Sequence, residues 1–171
     1  MTKNLILWRH AKSLTGFNDH ERGLSEKGQK EARDMSGYIL SFRKPDLILC
    51  SSSQRTIDTL EILKDQGGLT KTYIKDKLYL ATQEEISNIV FSQSQSYKSI
   101  LCIGHNPGIH ELSLSLTNIA DMNLRNVEMK FKFPTSAVAI FQIRDNNWQN
   151  IYTNENLLIV FMTPETLGSK K

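Results

Sequence analysis

Cysteine is scarce, with only Cys50 and Cys102 in 171 residues. Each closes an apolar run, so both read as buried, reduced thiols, and a chain of this length needs no disulfide to fold. Two thiols and four histidines form no zinc-ligand spacing, so neither a metal nor another cofactor is expected. No apolar run reaches membrane-spanning length and the first residues carry no signal-peptide pattern; the expectation is a cytoplasmic protein without a membrane partner. A basic stripe with interleaved stacking aromatics is also missing. The net charge is only +3 and the Lys and Arg residues are scattered, which argues against nucleic acid while still suiting a small anionic substrate. Internal repeats, low-complexity runs and interior linkers are lacking too, so residues 1–171 read as one domain.

What is present is a set of short apolar runs that end in chemistry. Leu5-Ile6-Leu7-Trp8 reads as a strand buried on both faces, and it stops at Arg9-His10. Ile100-Leu101-Cys102-Ile103 runs likewise into Gly104-His105-Asn106-Pro107. Leu47-Ile48-Leu49-Cys50 runs into Ser51-Ser52-Ser53-Gln54-Arg55-Thr56. One such strand could simply exit into solvent. Three deliver Arg9, His10, Arg55 and His105 toward one rim, and in an open α/β sheet the crevice beyond the strands' carboxyl ends is where ligands sit. Arginine grips phosphate oxygens bidentately and neutral histidine can attack phosphorus, so this set suits a phosphate.

Between the runs lie helical patterns. Ser25 reads as the N-cap of a helix whose stripe is Ala32, Met35, Ile39 and Phe42, stopped by Pro45. Just upstream, Asp19 and Arg22 could help close the rim of the site, but the leading expectation is that they pair with each other or anchor the helix entrance. A second helix through Ile57, Leu60 and Leu63 ends at Gly67-Gly68. It carries Arg55 in its first turn, where the dipole disfavours a cation, and that mismatch argues for a bound anion. Tyr73-Ile74 and Leu78-Tyr79-Leu80 read as short extended pieces. Thr82-Gln83-Glu84-Glu85 matches a capping box for a third helix that buries Ile86, Ile89 and Val90. A fourth helix carries Ile109, Leu112 and Leu116, with His110 structural or exposed. Residues 117–133 read as a short helix and a flap over the site. Ala137 to Ile143 reads as a strand, Arg144-Asp145-Asn146-Asn147 as a hairpin turn into Trp148 to Tyr152, and Leu157 to Met162 as a last strand. The expected architecture is α/β, a central mixed sheet between helical layers.

Taken in order, five pieces carry a resemblance. They are Arg9-His10, Asp19 with Arg22-Gly23-Leu24-Ser25 and Gly28, Ser51-Ser52 with Arg55-Thr56, Gly104-His105-Asn106-Pro107-Gly108, and Pro134-Thr135-Ser136-Ala137. At this spacing the chain resembles the histidine phosphatase superfamily and, within it, the small SixA-type phosphohistidine phosphatases. The resemblance implies the phosphoglycerate mutase-like fold, three α/β/α layers around a mixed, mainly parallel sheet. It implies His10 as nucleophile, forming a phosphohistidine intermediate that water hydrolyses. Arg9 and Arg55 would hold the oxygens, and His105, protonated when phosphate is bound, would add a third positive group. Asn106, Ser13 and Ser52 are expected neutral donors at the edge, and Lys12 a solvated rim charge. Two departures stand out. Ala11 occupies a position where many members have glycine, and Leu80 one where related small phosphatases often have an acid. Glu84 remains the candidate general acid, since Glu85 belongs to the capping box.

That departure bears on the substrate. An alkoxide leaves poorly without a proton donor, whereas phosphohistidine can release imidazole with little help. The leading expectation is a metal-independent phosphatase that removes phosphate from phosphohistidine on a protein. Two alternatives stay open: a phosphomonoesterase for small molecules, using a donor such as Glu84, and a phosphate-binding module without turnover.

Overall fold

The three apolar runs lie side by side as parallel strands. In the computed structural model, which describes residues 2–16, 18–117, 127–143, 147–151 and 156–169, they are β1 (Lys3–Arg9), β2 (Leu47–Ser51) and β4 (Ser99–Gly104). With β3 (Lys71–Lys75), β5 (Val138–Ile143) and β6 (Leu157–Met162) they form one sheet of order β3-β2-β4-β1-β5-β6. The β2/β3, β2/β4 and β1/β4 pairs are parallel; β1/β5 and β5/β6 are antiparallel.

Alternation along the central strands feeds two cores. Leu5, Leu7, Leu49 and Cys102 point to one face, onto Ile86, Val90 and Leu112 of α3 (Gln83–Phe91) and α4 (Gly108–Ser115). Ile6, Trp8, Ile48 and Leu101 point to the other, onto Met35, Ile39, Leu60 and Leu63 of α1 (Glu26–Phe42) and α2 (Gln54–Asp65). Burial on both faces is why these strands read as unbroken apolar runs rather than alternating ones. The short α5 (Pro164–Gly168) packs against α1. The result is a three-layer α/β/α fold of the phosphoglycerate mutase-like kind.

Capping sets the helix starts. The Ser25 hydroxyl accepts from the Gly28 amide, and Thr82 and Glu85 form both halves of their capping box. Gly28 has a packing reason: a Cβ there would sit 2.0 Å from the Lys12 carbonyl oxygen, so only glycine lets α1 press onto the loop after β1. Gly108 stands in the same relation to the Ala81 carbonyl, again at 2.0 Å.

Three expectations need correction. Phe42 is 41% exposed, and the buried stripe of α1 is Ala32, Met35 and Ile39 with Gly28 and Ser36. Leu78-Tyr79-Leu80 is not a strand: Asp76–Leu78 is a 3-10 turn closed by the Tyr79 amide on Asp76, and after an extended Tyr79, Leu80 adopts φ +50°. Trp148–Asn150 is a 3-10 turn rather than a strand, with the buried Trp148 indole donating to the Tyr97 carbonyl at 3.2 Å and the Lys3 ammonium over its ring. Of residues 117–133, Val127–Lys130 form a 3-10 turn. The proposed flap at 118–126, the turn at 144–146 and Tyr152 lie outside the described residues. Among the described residues, no helix is long and apolar enough to cross a membrane.

Candidate active site

The carboxyl ends of β1, β2 and β4 open onto a cleft of about 310 Å³. His10, one residue beyond β1, is held by its backbone from the end of β4 and from the residues just before β5. Its amide donates to the Gly104 carbonyl at 3.0 Å, and its carbonyl accepts from the Ser136 amide at 3.1 Å. Its Nδ1 lies 2.7 Å from the Ala11 carbonyl oxygen. A carbonyl only accepts, so Nδ1 carries the proton and Nε2 keeps its lone pair. That lone pair faces the cleft, where the Arg55 Nε–H approaches to 3.3 Å. Burial above all, with Arg55, Arg9 and Arg22 adding to it and the bond to Ala11 partly offsetting them, lowers the His10 pKa to about 4.

Arg55 enters from the first turn of α2 and is only 3% exposed. It donates to the Asp19 carbonyl and, at 3.0 Å, to Asp19 Oδ2. Asp19 also receives the Tyr79 hydroxyl at 2.6 Å and a close ion pair from Arg22. The Tyr79 hydroxyl first, then the two guanidiniums, hold the Asp19 carboxyl well below the usual carboxylate range. Asp19 is therefore an anion committed to positioning, with no proton to give. Arg55 Nη2 also reaches His105 Nδ1 at 3.4 Å. Because a guanidinium only donates, His105 carries its proton on Nε2, which donates to the Ser51 hydroxyl oxygen at 2.7 Å. Burial, then His10 and Arg55, lower the His105 pKa to about 3. Near neutral pH this favours the uncharged form of His105. Arg9 donates to the Phe133 carbonyl at 2.8 Å, as does the Asn106 amide at 2.9 Å.

The family model of the histidine phosphatase superfamily (branch 1) matches residues 5–79. Over that stretch the chain is similar to that superfamily. An uncharacterised protein of Mycobacterium leprae is 28% identical over 163 residues, spanning 91% of this chain and 99% of its own. A solved structure from Agrobacterium tumefaciens, assigned as the phosphohistidine phosphatase SixA, is 26% identical with a TM-score of 0.79, covering 96% of this chain and 99% of that one. A SixA assignment from Nakamurella multipartita shares the fold at 22% identity and TM-score 0.84, over 96% and 97% of the two chains. The chain accordingly has a SixA-type fold.

The cleft gathers Arg9, His10, Arg55 and His105, with Asn106, Ser13 and Lys12 also on its lining. Two sequence candidates fall elsewhere. Ser52 is outside the lining, its hydroxyl 3.1 Å from His20 Nε2; the serine that touches the site is its neighbour Ser51. Glu84 is exposed on the first turn of α3, bonded to Gln83 and absent from the cleft lining. Asp19 and Arg22 do pair as expected, but they also line the cleft. Tyr79 and Thr135 were not singled out from the sequence. Tyr79 bonds Asp19 and sets its ring edge-on to His105, with centroids 5.5 Å apart. Only the match of Pro134-Thr135-Ser136-Ala137 to the family pattern pointed toward Thr135.

Proposed function

We propose that the protein is a phosphohistidine phosphatase working through a covalent intermediate on His10. The supporting observation is the tautomer: with Nδ1–H given to Ala11, the Nε2 lone pair is available at neutral pH and faces Arg55 and His105. His10 Nε2 forms the new P–N bond as the P–N bond of the substrate breaks. Its electrons return to a ring already protonated on its other nitrogen, which departs as neutral imidazole. Arg9 and Arg55 hold the phosphoryl oxygens throughout, as transfer of this kind rests on positioning and charge neutralisation. The nearby dianion raises the His105 pKa, so that His105 takes up a proton and becomes the third cation. Water then attacks phosphorus, the His10–P bond breaks, and inorganic phosphate leaves as the water proton passes to solvent. The position of Glu84 weakens the small-phosphomonoester reading, which needs an acid in the cleft. The partner this reading favours is a phosphorylated protein.

Brief reaction with radiolabelled phosphohistidine should leave acid-labile label on His10. His10→Ala should lose label and turnover together while keeping its circular dichroism, and chelators should leave the rate unchanged. Acid-stable label on a serine, or a rate abolished by a chelator and restored by a divalent cation, would refute this reading.

A further inference from the structure

Leu80 lines the cleft, and the segment Tyr79-Leu80-Ala81 is pinned on both sides of that residue. Before it, the Tyr79 hydroxyl is bonded to Asp19 at 2.6 Å and the Tyr79 amide to Asp76 at 2.9 Å. After it, buried Ala81 lies against Gly108 so closely that a Cβ there would come within 2.0 Å of the Ala81 carbonyl oxygen. Leu80 itself sits at φ +50° and is 53% exposed, lining the cleft with Arg9, His10, Arg55 and His105. Glycine or asparagine would hold that backbone more comfortably, and any polar residue would be better solvated. Neither the turn nor the core explains a leucine. Strained residues gather where a site requires them.

We infer that Leu80 determines leaving-group specificity, as an apolar ledge that contacts the ring of the departing imidazole while its phosphoryl group passes to His10. This rests on the phosphohistidine reading above. Among the described residues Asp19 is the one carboxylate on the cleft lining, and it is committed to Arg22, Arg55 and Tyr79. The mouth therefore offers hydrocarbon rather than an acid beside the leaving group. It favours a group that brings its own proton and presents a flat ring.

Phosphohistidine and phosphoramidate separate the ledge from the rest of the site. Both break a P–N bond, but only the first has a ring for Leu80 to touch. Leu80→Gly, which accepts φ +50° freely, should keep or raise the melting temperature. Its kcat/KM should fall about tenfold for phosphohistidine, the scale of a few lost apolar contacts, and stay within about twofold for phosphoramidate. Inhibition by inorganic phosphate should be unchanged, and Leu80→Met should retain most of the preference. Equal losses on both substrates, or no loss on either, would overturn the ledge and leave the phosphohistidine reading standing. A wild-type protein that cleaves neither P–N bond would overturn both.

Discussion

A histidine becomes a nucleophile when its proton is fixed on the far nitrogen and its near nitrogen stays unprotonated. His10 meets both conditions through one carbonyl and through burial. An ordinary histidine is half protonated near pH 6.5, whereas His10, with its pKa near 4, stays neutral well below that. The sign is clear, because protonation removes the lone pair and activity therefore falls as pH drops through the lowered pKa. For an aryl phosphate, kcat/KM referred to the substrate monoanion, which brings the proton that His105 takes up, should hold from pH 7 to about 5 and fall near 4. An acid limb centred near 6.5 would mean that the burial around His10 and the three arginines does not govern it. The chemistry of Arg9, His10, Arg55 and His105 was legible because charged or titratable side chains end apolar runs. Ser51 was not, since Ser51-Ser52-Ser53 is uniform in sequence and only the geometry at the end of β2 selects its first member. Tyr79 was hidden for a similar reason: its hydroxyl finds Asp19 across 60 positions of sequence.

At the scale of elements, two glycines of α1 should behave oppositely. Gly28→Ala places a methyl 2.0 Å from the Lys12 carbonyl oxygen, and backbone cannot move aside without shifting the loop that follows His10. Overpacking of this kind costs about 1–3 kcal/mol, which for a chain of this size lowers the melting temperature by roughly 3–10 °C, and activity should fall with it. Gly37→Ala meets nothing nearer than the Gln66 side chain at 3.5 Å on an exposed turn of the same helix. It should stabilise by about 0.5–1 kcal/mol, the ordinary helix preference for alanine. Calorimetry on the two variants decides this, and similar shifts in both would deny Gly28 its packing role. Helix starts were readable because Ser25 and the Thr82 box are local signals. Leu78-Tyr79-Leu80 misled because apolar composition alone does not distinguish a strand from a turn closed by Asp76. Trp148 misled because its partners, Lys3 and Tyr97, are distant in sequence.

Across the whole molecule, the site is an electrostatic load on the fold. His10 and His105 are 7% and 2% exposed, with pKa values lowered to about 4 and 3. Between pH 6.5 and 4 the unfolded chain binds protons at both positions and the native chain does not, so native stability drops as pH falls through that window. Each histidine contributes at most about 1.4 kcal/mol per pH unit. Between pH 6.5 and 5 most carboxylates remain ionised, so the slope there reports the histidines. Urea unfolding of His105→Asn should therefore show a slope of stability against pH shallower than the wild type by about 1 kcal/mol per unit. The two curves should approach each other toward pH 5. Saturating phosphate should flatten the wild-type slope, because the bound anion draws a proton onto native His105 and narrows the difference from the unfolded chain. Parallel curves for the two proteins, with or without phosphate, would place the proton uptake elsewhere and leave His105 without its role as the induced cation.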